Sequence, residues 1–255
     1  MIKKVLWLFS LMVVFCSCAS KEEIVYYNNI SGGNSGTANS KYEAKFEPDD
    51  LLMITVTAPD IEASKAFNLP AISVSQNATL AAAPVQYQLY LVDTNGYIEL
   101  PVIGAFKIGG LTRTDAMQKL KTILEGKIGD PIVNIRITNY KISVSGEVLR
   151  PGTYPITSER VTLPDALAMA GDMTIYGKRT NIAVIREIEG VKTINRVDIT
   201  KADFINSEFY YLSQNDVVYV EPNKTRINSA SVGPNITIGL SALSLVITVV
   251  ALLIR

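Results

Sequence analysis

The sequence predicts an α+β chain of two folded domains, with a cleaved leader before them and one C-terminal transmembrane α-helix after them. Three observations carry this. Between Lys41 and Asn223, stretches that alternate apolar and polar residues take turns with stretches of helical spacing, and turn-forming residues mark the junctions. Residues 236–254 are 19 successive residues without a charge, closed by Arg255. The N-terminus opens with Lys3, Lys4 and an apolar run from Val5 to Phe15, the build of a secretory signal.

Composition narrows the function classes. The 255 residues hold 24 Lys+Arg against 24 Asp+Glu and are 48% apolar, enough for one or two domains with a substantial core. There is no histidine, which removes Ser-His-Asp triads, Cys-His nucleophiles, most zinc sites and imidazole general bases. An enzyme is therefore not expected, and neither is a cofactor or a metal. With zero formal charge and no long Lys/Arg cluster, nucleic acid is not an expected partner. A glycosidase needs only two carboxylates. Here Asp49, Asp50, Asp93, Glu99, Asp115 and Asp165 all fall at turns and caps, where carboxylates have structural work.

Residues 1–17 read as the signal peptide. Phe15-Cys16-Ser17-Cys18 resembles a lipobox, in which cleavage precedes a cysteine that then carries diacylglycerol. Small Ser17 suits the position before the cut and bulky Phe15 does not, so Cys18 is the expected lipidation site. The other reading, an ordinary signal with incidental cysteines, leaves one thiol in the mature chain without a role. Residues 18–40 are expected to be a lipidated flexible linker, Gly/Ser/Asn-rich in SGGNSGTANS at 31–40.

In the body, Leu51 to Thr57 is a β-rich run entered through Glu47-Pro48-Asp49-Asp50, and Tyr97 to Leu100 follows the Asp93-Thr94-Asn95-Gly96 turn. A helix is marked by Thr112 as N-cap with Asp115 three residues on, then Ala116, Leu120, Ile123 and Leu124 on one face. Gly126 and Gly129 end it before Pro131, and Val133, Ile135 and Ile137 alternate with polar residues as a half-buried strand.

A second unit begins near Tyr140. Ile142, Val144 and Gly146 lead to Arg150-Pro151-Gly152, where proline sets one φ and Gly152 is expected to take a positive one. Thr162, Pro164 and Asp165 open a helix through Met169, with Gly171 placed to cap it. Strands Ile182 to Ile188 and Val191 to Val197 reverse at Glu189-Gly190, and a last strand, Val217 to Val220, ends at Pro222. Tyr210 and Tyr211, if in a strand, point to opposite faces and serve as core or interface residues.

The C-terminal helix is placed at 235–254, where 19 uncharged residues at 1.5 Å each span about 28 Å, near the thickness of a bilayer's hydrocarbon core. Its hydroxyls, Thr237, Ser241, Ser244 and Thr248, recur at helical spacing and fall on one side, opposite Leu, Ile and Val. Three readings of that stripe stand open: a lone anchor whose hydroxyls bond to their own backbone, a small-residue seam between helices, or a helix in a ring with its polar side on water.

At this point the motifs resemble those of the outer-membrane polysaccharide export lipoproteins. Their N-terminal signature is matched by Tyr42, Pro48, Asp49, Asp50, Leu51, Ile54 and Val56, and its continuation by Asp93, Gly96, Ile98, Leu100, Pro101, Ile103 and Gly104. Gly110-Leu111-Thr112 and Asp130-Pro131 extend the match, and 142–156, ISVSGEVLRPGTYPI, resembles the opening of the soluble ligand-binding β-grasp (SLBB) domain. Ala19-Ser20-Lys21-Glu22-Glu23 looks like the acidic export tag of Bacteroides-type surface lipoproteins, or is simply a polar tether. Two departures stand out: Asp49 occupies the usual glycine position, and 59–92, with Ala78 to Ala83, Tyr87 and Tyr90, is a long insertion. That insertion reads as a surface loop, or as a segment at a subunit contact or channel mouth.

The resemblance implies a polysaccharide export domain at 41–140 and an SLBB-type β-grasp domain at 141–223. It further implies a homo-oligomeric ring, commonly an octamer, with its body in the periplasm and its C-terminal helices forming a barrel through the outer membrane. Thr237, Ser241, Ser244 and Thr248 would then line the pore. Expected partners are outer-membrane lipid, the polysaccharide in transit and an inner-membrane polysaccharide co-polymerase or tyrosine autokinase. The alternative is a periplasmic glycan-binding or scaffold lipoprotein that uses its helix only as an anchor.

Overall fold

The computed structural model describes residues 24–28, 43–70, 87–188, 190–231 and 234–253. The signal peptide, Cys18 and the middle of the 59–92 insertion lie outside these residues.

The first unit is a three-stranded antiparallel sheet with a helix against it. Strand β1 (Leu51–Thr57) buries Leu52, Ile54 and Val56 on one face and is followed by a short helix α1 (Ile61–Lys65). Strand β2 (Leu89–Leu91) pairs with β1, so the far end of the expected insertion is part of the sheet and buries Tyr90 and Val92. A hairpin of β3 (Tyr97–Leu100) and β4 (Gly104–Lys107) leads to helix α2 (Arg113–Glu125). Thr112 caps α2 by accepting the Asp115 amide, which satisfies one of the otherwise orphaned N–H groups.

Ala116, Leu120 and Leu124, four residues apart, are fully buried, while Ile123 faces outward, 100° away from Leu124. Removing each leucine side chain from water stabilises the fold by about 2 kcal/mol. The helix ends at Gly126 in ordinary helical geometry, and the left-handed residue of that turn is Asp130 rather than either glycine. Strand β5 (Ile132–Ile137) closes the sheet in the order β2-β1-β5, burying Val133 and Ile135.

The second unit begins with β6 (Lys141–Gly146) and β7 (Gly152–Pro155), then β8 (Val161–Thr162) and helix α3 (Leu163–Met169). Strands β9 (Gly177–Ile188) and β10 (Val191–Val197) form a hairpin, followed by a 3-10 turn at Ala202–Asn206, β11 (Tyr211–Leu212) and β12 (Val217–Pro222). The sheet order is β10-β9-β12-β6-β7, with β12 parallel to β6. Thr162 and Asp165 form a reciprocal capping box on α3, Pro164 sits in its first turn, and left-handed Gly171 follows its C-cap Ala170.

The positive φ expected at Gly152 belongs instead to Gly146, and Gly152 lies inside β7. The reason is steric: a Cβ on Gly146 would stand 2.0 Å from the Val220 carbonyl oxygen of β12. Tyr210 and Tyr211 do not face apart. Their rings meet edge to face at 5.1 Å because β11 is only two residues long and the chain has not settled into strand geometry at Tyr210.

Beyond β12 the chain continues as α4 (Lys224–Ser231) and α5 (Pro234–Leu253). Some side chains of α5, Thr237 among them, lie outside the described residues, and among the described residues no helix is long and apolar enough to cross a membrane.

Candidate functional site: the junction and the far end of the second unit

The two units meet at residues 138–140, where side-chain amides hold the backbone on both sides. Asn139 accepts the Leu51 amide at 2.9 Å and donates to the Asp49 carbonyl at 2.9 Å, binding the connector to the first unit. Gln214 accepts the Lys141 amide at 2.8 Å and donates to the Asn139 carbonyl at 2.9 Å, binding it to the second. Tyr140, buried, donates its hydroxyl to the Leu212 carbonyl at 2.6 Å. These bonds leave the connector little torsional freedom.

Two similar turns face this connector. In Glu47-Pro48-Asp49-Asp50, Asp49 is left-handed (φ 70°), the Asp50 amide donates to the Glu47 carbonyl, and the Asp50 carboxylate accepts the Glu47 amide at 2.9 Å. In Ser213-Gln214-Asn215-Asp216, Asn215 is left-handed (φ 62°), the Asp216 amide donates to the Ser213 carbonyl, and the Asp216 carboxylate accepts the Ser213 amide at 2.7 Å. Asp49 takes the left-handed region without being glycine, because aspartate is among the side chains that tolerate it.

Both aspartates are buried, and their electrostatics differ. Asp216 receives the Arg186 guanidinium, with Nε at 3.0 and 3.2 Å and Nη2 at 2.7 Å, while Nη2 also reaches the Tyr211 carbonyl. Burial pushes the Asp216 carboxyl up, and Arg186 and the Ser213 amide pull it back. Asp50 has no such cation: its Oδ1 is buried without a hydrogen-bond partner, and burial pushes it up to about 6 against the pull of the Glu47 amide. Half-buried Glu47 is pushed up to about 7, first by burial, then by Asp50 and Asp216, with Arg186 opposing.

Beside the junction lies a cleft of about 430 Å³, lined by α2, β5 and the loop 157–160. An ion pair between Arg113 of α2 and Glu159 of that loop crosses it.

At the other end of the second sheet, the loop 172–179 gathers both remaining chain segments. The Asn223 amide donates to the Tyr176 carbonyl at 2.7 Å, and Glu147 holds Thr174 at 2.7 Å and Arg226 of α4 at 3.5 Å. On the same loop Tyr26 donates its hydroxyl to Asp172 at 2.5 Å and lies under the Arg179 guanidinium, while Tyr27 and Asn28 donate their amides to the Ile199 and Thr200 carbonyls. Residues 24–28, expected as part of the flexible linker, are thus bonded to the second unit. Burial and Asp172 raise the Tyr26 phenol above its ordinary range.

Of the expected site residues, Cys18 and the Thr237 side chain lie outside the described residues. Ser241, Ser244 and Thr248 are exposed on α5, and Ser244 and Thr248 each donate at 2.8 Å to the carbonyl one turn before, Ser241 and Ser244 respectively. Among the described residues no group of three His, Cys, Asp or Glu is placed to hold a metal ion. Sequence reasoning missed Asn139, Gln214, Arg186 and Asp216. A signal was present in Asp50-Leu51-Leu52 and Asp216-Val217-Val218, two aspartates each heading a β-rich run.

Comparison with known proteins matches residues 38–138 to a polysaccharide biosynthesis/export protein and residues 140–220 to an SLBB domain. The chain is 30% identical over 139 residues to the EPS I polysaccharide export outer membrane protein EpsA of Ralstonia solanacearum, covering 53% of this chain and 36% of that one. It is 32% identical over 101 residues to the protein of the same name from Ralstonia nicotianae, covering 38% and 26%. The chain thus aligns to about a third or less of the length of these relatives. The two matched segments coincide with the two folded units, so the chain carries a polysaccharide biosynthesis/export domain followed by an SLBB domain.

Proposed function

We propose that the chain is a subunit of an oligomeric outer-membrane channel that exports capsular or exopolysaccharide, a transport role without catalysis. The observation that carries this reading is the state of α5. Leu245, Val246 and Ile247 are exposed at 66%, 56% and 60%, and three successive residues point across 200° of a helix. Apolar side chains exposed over so wide an arc of one helix need lipid or copies of the helix against them. Supporting it, the sequence run 236–254, whose last residue lies beyond the described ones, holds 19 residues without a charge, about the number a bilayer span takes.

The layout of the second unit supports an orientation. Its parallel strands β6 and β12 start at the junction, at Lys141 and Val217, and end beside α4 and the docked residues 24–28. Six strand residues span about 20 Å. The second unit is therefore a spacer between the export domain and the membrane attachments, and Cys18, six residues before Ile24, reaches at most about 21 Å from there. In this reading lipid on Cys18 and helix α5 enter one membrane, the export domain faces an inner-membrane co-polymerase or autokinase, and Thr237, Ser241, Ser244 and Thr248 line the pore of a ring, an octamer by resemblance.

A second reading, a periplasmic scaffold or glycan-binding lipoprotein without a pore, is favoured by the back-bonding of Ser244 and Thr248, which hides part of their polarity. Cysteine substitution along 236–254 in outer-membrane vesicles, probed with a water-soluble thiol reagent, separates the two. Labelling confined to positions 237, 241, 244 and 248 is the expected result, and uniform protection would select the anchor.

A further inference from the structure

We propose that the cleft between the two units binds a carboxylate-bearing, uronate-type segment of the glycan on the guanidinium groups of Arg113, Arg136 and Arg160. The inference rests on the export reading in one respect, that a glycan in transit supplies the ligand.

The volume of about 430 Å³ is that of a small-ligand site. Arg113 is preset in it: Nε donates to the Ile135 carbonyl at 2.9 Å and Nη2 to Asn134 Oδ1 at 3.1 Å, which aims Nη1 at Glu159. Glu159 is a weak occupant, its side chain 74% exposed, and a pair this open contributes little to stability. An incoming carboxylate can therefore replace it on an already oriented guanidinium, forming a charge-assisted hydrogen bond.

Arg136 of β5 and Arg160 of the loop line the same cleft, and neither forms an ion pair with a carboxylate among the described residues. Arg160 lies over the Tyr211 ring, 5.3 Å from its centre, which leaves the guanidinium edge for a ligand. The other acid of the cleft, Glu43, is engaged by the Thr114 hydroxyl at 3.0 Å and amide at 3.3 Å. Cation therefore exceeds anion there. The lining aromatics Phe46 and Tyr140 are buried, so no ring is presented for stacking on a sugar face. Recognition falls to charge, which selects acidic over neutral sugars.

The test titrates the full-length chain in detergent with short oligogalacturonates and, as the neutral control, maltooligosaccharides. The expected result is oligogalacturonate binding that weakens with salt, falls at least about tenfold in an Arg136→Ala/Arg160→Ala double variant, and tightens in Glu159→Gln, where the competing charge is gone. No oligogalacturonate binding, equal binding of the neutral control, or binding unchanged in the double variant would each overturn the proposal. So would loss of oligomer assembly in the double variant with binding intact, which would make the cleft a contact between copies. Glycan export by a deletion strain complemented with the wild-type chain is scored separately. Export without uronate binding removes the cleft and keeps the channel, whereas failed complementation removes the channel reading itself.

Discussion

The turns at 47–50 and 213–216 are the same local structure built twice, and their difference lies in what surrounds them. Each places a left-handed residue third and an aspartate fourth, and each aspartate bonds back to the amide three residues before. Asp216 is 1% exposed and meets a guanidinium; Asp50 is 0% exposed and meets none. A carboxylate buried against a bidentate guanidinium is held in place as a structural tie, whereas one with a single amide donor and an orphaned oxygen is held toward its neutral form. One turn geometry thus yields an ion pair in the second unit and a cation-free, proton-sensitive group in the first.

The comparison breaks hardest at Arg186. Replacing Arg186 with Ala leaves Asp216 buried and uncompensated, with an expected loss of about 3–5 kcal/mol, measurable by chemical denaturation of the detergent-solubilised chain. A loss under about 1 kcal/mol would mean that water takes the guanidinium's place and that the pair is no tie.

Asp50→Asn should act in the opposite direction. Its folded-state pKa of about 6 lies above the unfolded value of 3.8, so the native state binds the extra proton. The stability this contributes is complete below about pH 4 and is lost as pH rises through about 6. Asn keeps an acceptor for the Glu47 amide without the charge, so at pH 7.5 the variant should be more stable by on the order of 2–3 kcal/mol, with its stability flatter between pH 4 and 6. A wild-type pH slope retained in the variant would assign the dependence to Glu47 alone.

The smallest effect sharpens the comparison at the left-handed positions. Asp49→Gly relieves a strained φ of 70° and should raise the melting temperature by the equivalent of up to about 1 kcal/mol. Asn215→Gly should do the same, and a fall in either would show that the native side chain stabilises its own turn.

Much of the fold was legible in the chain. Thr112 and Thr162 cap their helices as their spacing with Asp115 and Asp165 implies, and Val133 and Ile135 alternate inward as read. These signals are local, each completed within four residues. Legibility failed where a neighbour from elsewhere decided. Gly146 rather than Gly152 takes the positive φ because β12 passes behind it, and Leu89–Leu91 of the apparent insertion becomes an edge strand because β1 offers it a partner. Residues 24–28 look like tether, and only Asp172, 146 positions from Tyr26, makes them part of the second unit.

The candidate site was less legible than the fold. The hydroxyl stripe of α5 could be read because a helix repeats every 3.6 residues, but the junction could not. Its members, Asn139 with Gln214 and Arg186 with Asp216, are 75 and 30 positions apart. By itself the sequence determined the element types, the caps, the apolar tail, the absence of imidazole chemistry and the motifs that mark the family. These follow from side-chain periodicity and backbone stereochemistry, which act over one or two turns. Tertiary structure alone decided which buried aspartate received a cation, which arginines share a cleft and which end of the second sheet carries both outgoing segments. Those depend on desolvation and charge, which are set by whatever residues the fold brings close, however distant they are in the chain.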